Sequence, residues 1–237
     1  MAQIAATVGR LGRVGMVWGG FKAGIAALAL VLAGMGGAAA QSATSAGSQP
    51  SMDTWDRDVF FFGGRFHTDY FGQSFTPWDT TWEDNYFVGA GYQQFFWRWG
   101  FVRFGGEIGV GDRFNTDNNT MYGAAVNSQE AWAGIVTRFD GWNLGPVHVS
   151  PALTAGFSVV NGLIGVEAGR NSTPHSDPHS DGGRFLVYLG PEVSFSLPDT
   201  NPNLEAFVRI QHRSGAFGWI ADLDGSNADT VGLRWKF

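Results

Sequence analysis

Val147-His148-Val149-Ser150-Pro151-Ala152-Leu153-Thr154-Ala155-Gly156-Phe157-Ser158-Val159 is the stretch on which the fold turns. Its odd positions are apolar, Pro151 included, and its even positions are His148, Ser150, Ala152, Thr154, Gly156 and Ser158. Side chains that alternate with period two point to opposite faces of a strand. Phe185–Leu197 repeats the pattern: Phe185, Val187, Leu189, Pro191, Val193, Phe195 and Leu197 alternate with Leu186, Tyr188, Gly190, Glu192, Ser194 and Ser196. One greasy face and one small or polar face, over strands this long, mark a wall with lipid outside and a tight interior. A water-soluble sandwich alternates too, but with shorter strands and outer faces richer in charge.

Working outward, eight such runs lie near Val59–His67, Tyr86–Trp97, Phe101–Gly111, Glu130–Phe139, Val147–Val159, Arg184–Leu197, Leu204–His212 and Asp229–Phe237. The connections Arg98–Gly100, Asp140–Pro146 and Pro198–Asn203 are short, whereas Thr68–Asn85, Asp112–Gln129, Val160–Gly183 and Arg213–Ala228 are long. Short turns at one end, long loops at the other and an even strand number are the plan of an outer-membrane barrel. Each run approaches the 9–11 residues that cross the hydrocarbon, and closure removes the open sheet edge that lipid does not tolerate. The expected fold is an all-β, eight-stranded antiparallel transmembrane barrel over residues 58–237. The final Val231-Gly232-Leu233-Arg234-Trp235-Lys236-Phe237 alternates and ends on Phe, which resembles the signal read by the outer-membrane assembly machinery. Trp97, Trp99, Trp142 and Trp235 are expected near the periplasmic rim, where aromatic girdles sit. Arg103, Glu107, Arg138, Glu192, Glu205, Arg209 and Arg234 fall on the inward face. In so narrow a lumen, mixed charges are expected to pair rather than conduct. That disfavours a small-solute channel.

The composition agrees. Charged residues make up 15% of the 237, aromatics another 15%, and the mean hydropathy is −0.07, which excludes a polytopic helical membrane protein and a disordered chain. There is no Cys, hence no disulfide, Cys-ligated zinc or thiol chemistry. At the N-terminus Arg10, Arg13 and Lys22 precede an apolar run from Ala23 to Met35 and a small-residue site ending at Ala40. Residues 1–40 therefore read as a signal peptide and residues 41–57 as a flexible leader. Cleavage there removes three bases and no acid, changing the charge from −6 to −9, and so acidic a chain is no nucleic-acid partner.

Chemistry is expected at the outer end of the last two strands. Leu204, Ala206, Val208 and Ile210 form the lipid side of the seventh strand, and the same parity carries His212 and Ser214 to the outer rim. In the eighth, Phe237, Trp235, Leu233 and Val231 lead by parity to Asp229. Polar groups facing lipid are costly, so three together need a reason. Ser, His and Asp supply one: the imidazole takes the hydroxyl proton, and the carboxylate fixes the tautomer. The bland alternative is a rim strand that breaks into a polar loop. Asp222 and Asp224 are rival acids, more simply read as solvated loop residues.

Val208-Arg209-Ile210-Gln211-His212-Arg213-Ser214, followed by a loop, an acid and a final aromatic strand, resembles the lipid A 3-O-deacylases of the PagL type. The resemblance covers the barrel plan loosely and residues 204–237 at motif level. It implies an outer-membrane enzyme that cuts an acyl ester of lipopolysaccharide, with His212 as base, Ser214 as nucleophile and Asp229 as orienting acid. Two departures stand out. The family's acid is Glu, and the family carries Asn after the Ser, in a position tied to the oxyanion site, where this chain has Gly215. A backbone amide at Gly215 is the expected substitute donor. No cofactor is implied, and a homodimer is left open. The other reading is a non-catalytic barrel of the OmpA or OmpW type.

The remaining polar features are weaker. His175 and His179, in His175-Ser176-Asp177-Pro178-His179-Ser180-Asp181, are faint metal candidates. Asn171-Ser172-Thr173 fits a glycosylation sequon that a bacterial barrel would not use. His67 is expected to point into the lumen at the rim, and the strand glycines Gly89, Gly91, Gly105, Gly109 and Gly111 to permit bends and close packing.

Overall fold

The structure is a computed structural model that describes residues 57–116, 124–171, 183–216, 220 and 225–237. The signal peptide, all of the leader but Arg57, the sequon's Ser172 and Thr173, and His175, His179, Asp222 and Asp224 lie outside the described residues.

All eight expected strands form: β1 Arg57–His67, β2 Trp82–Trp99, β3 Val102–Asn115, β4 Asn127–Phe139, β6 Val147–Val160, β7 Phe185–Leu197, β8 Asn201–Ser214 and β9 Asn227–Lys236. The connection read as a plain turn after β4 contains a further strandlet, β5 Trp142–Leu144, paired to the first residues of β6. β4 pairs with the rest of β6, so β4 and β5 share one position in the wall. Gly141 makes the break: its φ is +77°, and a Cβ there would lie 1.9 Å from the Val149 carbonyl oxygen.

Neighbours are antiparallel throughout, and the β4–β6 pairing closes the sheet. The ladders fix the stagger. Starting at Leu204, successive partners are Trp235, Val59, Tyr92, Ile108, Ala133, Phe157, Val187 and finally Ser214, ten residues farther along the starting strand. Eight positions with a shear of ten tilt the strands by roughly 40°.

The two faces are inverted relative to a soluble domain. Phe61, Ile108, Val110, Ile135 and Leu233 are each more than half exposed on the outside. Trp97, Trp99 and Trp142 are exposed at the short-turn end, as expected of a girdle. Inside, Arg234 meets Asp58 at 3.0 Å and Glu192 at 2.7 Å, Arg138 meets Glu205 at 2.9 Å, and Arg209 meets Glu107 and Glu192, both at 2.7 Å. The inward charges thus pair, and Phe60, Phe62, Phe87, Trp132 and Phe207 fill the space between them. The inward glycines make room for those rings: a Cβ at Gly109 would stand 2.1 Å from the Trp132 indole, and one at Gly91 would stand 2.3 Å from the Phe60 ring. A closed backbone, apolar outside and charged inside, is built to stand in hydrocarbon.

The long Val160–Gly183 connection carries an element that periodicity does not reveal, the helix α1 Gly165–Asn171. Its buried Glu167 is bonded to Arg113 and Arg213, both inward-facing, so the helix plugs the outer mouth from within. Burial alone would raise the Glu167 pKa, but the two guanidinium groups hold it below the ordinary value.

Candidate functional site

The β8 motif divides by parity. Arg209, Gln211 and Arg213 point inward, to Glu107 and Glu192, to Glu130, and to Glu167 respectively. Val208, Ile210, His212 and Ser214 belong to the outward set. Three of the motif's seven residues therefore hold the lumen together, and only His212 and Ser214 bring reactive groups to the outer rim.

The register decides the partner of His212. Across β8 and β9, His212 stands opposite Asn227, and Asp229 stands opposite Ile210. Asp229 is on the expected face, two residue pairs nearer the short-turn end. The His212 Nδ1 to Asn227 Oδ1 distance is 2.6 Å. Asn227 Nδ2 donates to the Asp69 carbonyl at 2.9 Å, so its Oδ1 is the atom turned to the ring. An amide oxygen only accepts. His212 therefore carries its proton on Nδ1, and Nε2 is the basic nitrogen of the ring. The position beside His212 Nδ1 that parity suggested for Asp229 is occupied by Asn227, a residue with the same parity that a search for carboxylates passes over.

Asp229 lies instead beside His67, with 3.7 Å between Oδ1 and Nε2, and neither of its oxygens has a hydrogen-bond partner. His67 is not a lumen residue. It pairs with Asn227 on the outward face, and its Nε2 lies 2.8 Å from Ser74 Oγ. The unbroken apolar run Val59-Phe60-Phe61-Phe62 in β1 blurs its parity; the buried set is Phe60, Phe62 and Phe66, the even positions.

His212, Asn227 and His67 thus form one row across three strands, covered by the β1–β2 connection. Phe71 of the 3-10 turn Phe71–Phe75 lies over the His212 ring at 4.3 Å, and His212 is 9% exposed. Ser214 Oγ accepts the amide of Ala216 at 3.1 Å, and Ala216 has a φ of +54°, a left-handed conformation uncommon outside glycine. The amide turned to Ser214 is thus Ala216's, while the Gly215 carbonyl accepts the Ile220 amide at 3.0 Å. Ser214 and His212, two apart on one strand face, are roughly 7 Å from Cα to Cα by strand rise. Among the described residues no three His, Asp or Glu side chains come together as metal ligands.

The fold and the outer row define a class: closed eight-stranded barrels with a polar site at the loop end. No family model matches the chain, and no curated protein does. Among solved structures it is similar to Neisserial surface protein A (13% identity, 76% of this chain and 97% of the other, TM-score 0.44). It is also similar to the outer membrane enzyme PagL (12% identity, 76% and 99%, TM-score 0.44). A third is Ail, the attachment invasion locus protein of Yersinia pestis (12% identity, 77% and 97%, TM-score 0.36).

Proposed function

We propose that this barrel resides in the bacterial outer membrane and hydrolyses a 3-O-linked acyl ester of lipid A at its outer rim. The observation that carries the reading is the Asp69–Asn227–His212 relay, which fixes an imidazole with a basic Nε2 on the lipid-facing side of the wall. Asn in the orienting position serves the same end as a carboxylate, as in cysteine proteases with a Cys-His-Asn set. Ser214, on the same face, attacks the ester carbonyl as His212 Nε2 takes its proton. The 3-hydroxyl of the sugar leaves with that proton, and water, deprotonated by His212, then releases the fatty acid and restores Ser214. In this reading the Ala216 amide, which donates to Ser214 Oγ in the resting site, turns to the oxyanion as the hydroxyl attacks. The membrane presents the substrate, and the chemistry consumes only water.

Two observations favour the second reading, a non-catalytic envelope barrel: Ser214 is bound to its own turn, and Phe71 covers His212. The test is lipid A mass from cells carrying wild-type protein or Ser214→Ala. Loss of one hydroxyacyl chain with wild type alone supports the hydrolase. Unchanged lipid A with well-folded wild-type protein, across several lipid backgrounds, overturns it in favour of the structural barrel.

A further inference from the structure

Thr68–Thr81 crosses the outside of the wall as a strap of two 3-10 turns, Phe71–Phe75 and Pro77–Asp79. Its inner side is fastened at several points: Ser74 to His67 at 2.8 Å, the Asp69 carbonyl to Asn227 at 2.9 Å, and the Thr68 carbonyl to Arg170 of α1 at 2.7 Å. Its outer side carries Tyr70, Phe75 and Trp78, which are 66%, 58% and 80% exposed. Such exposure of three rings on a short segment costs free energy in water.

The neighbourhood says what covers them. The strap lies on the same face as the apolar band, and Val208 and Val231 lie four residue pairs below the His212–Asn227 row. Amphipathic rings at the upper edge of such a band are most stable at the boundary of headgroups and hydrocarbon. Thr68–Thr81 has two acids, Asp69 and Asp79, and no base, so the attraction is apolar rather than to phosphate. The same rings are linked to the site. Phe75 packs edge-on against Phe71 at 5.6 Å, and Phe71 lies on His212. A pull on Phe75 toward lipid therefore draws on the ring that covers the imidazole.

We propose that the aromatic edge of this strap is a binding surface for the outer-leaflet interface, and that its entry into lipid draws Phe71 off His212 and opens the site. The opening role rests on the hydrolase reading above; the lipid surface does not. Opening breaks the His67–Ser74 bond and the Phe71–His212 stack, and burial of Phe75 and Trp78 offsets both. The site is then covered in water and uncovered where its substrate is.

The absence of Cys makes a clean test. Full-length Trp78→Cys, labelled with an environment-sensitive fluorophore, is placed in phosphatidylcholine vesicles containing nitroxide lipids. Blue-shifted emission, quenched more by shallow than by deep nitroxides and insensitive to salt, is expected. Water-like, unquenched emission overturns the surface. Carbethoxylation of His212 by diethyl pyrocarbonate, read by peptide mass, is expected to be several-fold faster in vesicles for wild type than for Phe75→Ser/Trp78→Ser. Equal rates overturn the coupling. Neither readout uses hydrolysis, so unchanged lipid A with both results positive rejects the hydrolase alone.

Discussion

His212 stands opposite Asn227 on the neighbouring strand, and the 2.6 Å bond between them sets which ring nitrogen is basic. The relationship separates two residues that share a face. Asn227→Ala removes the acceptor that fixes the tautomer and is expected to lower hydrolysis by roughly two to four orders of magnitude while the barrel stays folded. Asn227→Asp keeps an acceptor and retains activity. Asp229→Asn, two pairs away, changes little. Single-turnover release of fatty acid by the three variants checks the order. An inactive Asp229→Asn beside a fully active Asn227→Ala would restore the carboxylate as the orienting group.

The lumen network makes a stability prediction. Glu192 is buried and holds Arg209 and Arg234 at 2.7 Å each and Arg138 at 3.4 Å. Glu192→Gln leaves those guanidinium groups short of a charge and is expected to cost about 3–5 kcal/mol. Arg98→Ala removes a solvent-facing pair with Asp140 at the turn end and is expected to cost under about 1 kcal/mol. Urea unfolding in vesicles, followed by the gel shift of the folded band, measures both. Equal losses would contradict the difference in burial.

The wall is largely legible in the sequence because its physics is local. Lipid outside and a narrow charged lumen inside impose period two on the strands, blurred only in the apolar run of β1, so the eight runs and the outward parity of His212, Ser214 and Asp229 can be read residue by residue. Register is not local. Which β9 residue faces His212 depends on the whole ladder from Leu204–Trp235 upward, and the long β8–β9 loop leaves a slide of two residues undetermined by parity. That slide is the difference between Asp229 and Asn227. The strap and α1 are illegible for another reason. Their residues are placed by single contacts, Phe71 on His212 and Glu167 on Arg113 and Arg213, which leave no repeat in the sequence.

Inward glycines make a packing prediction. Gly109→Ala drives a Cβ into the Trp132 indole, whose Nε1 is fixed to Glu107 at 2.8 Å and so cannot swing away without breaking that bond. A loss of about 1–3 kcal/mol is expected in the same urea assay. Gly106 is on the outward face, where an added Cβ would meet nothing within 4 Å, and Gly106→Ala is expected to be neutral. Comparable losses at the two sites would mean that strand flexibility, not luminal space, is what glycine supplies.

The plug gives a pH dependence. Arg113 and Arg213 hold the Glu167 pKa below its ordinary value, so the folded carboxyl binds its proton less readily than the unfolded one. The stability it contributes is then fully present above the unfolded pKa and is lost as pH falls through the folded one, from roughly pH 4 downward. Near neutrality α1 should be indifferent to pH. Below that window the protonated carboxyl releases both guanidinium groups, and α1 should leave the mouth while the strands, held by the deeper Arg209 and Arg234 network, remain paired. A spin label on a cysteine at Val166 is expected to gain mobility only in the acid window. Glu167→Gln should show the mobile spectrum at every pH. A label that stays immobile in Glu167→Gln would mean that α1 is held by its other bonds, Arg170 to Gly225 and Thr68, rather than by its buried carboxylate.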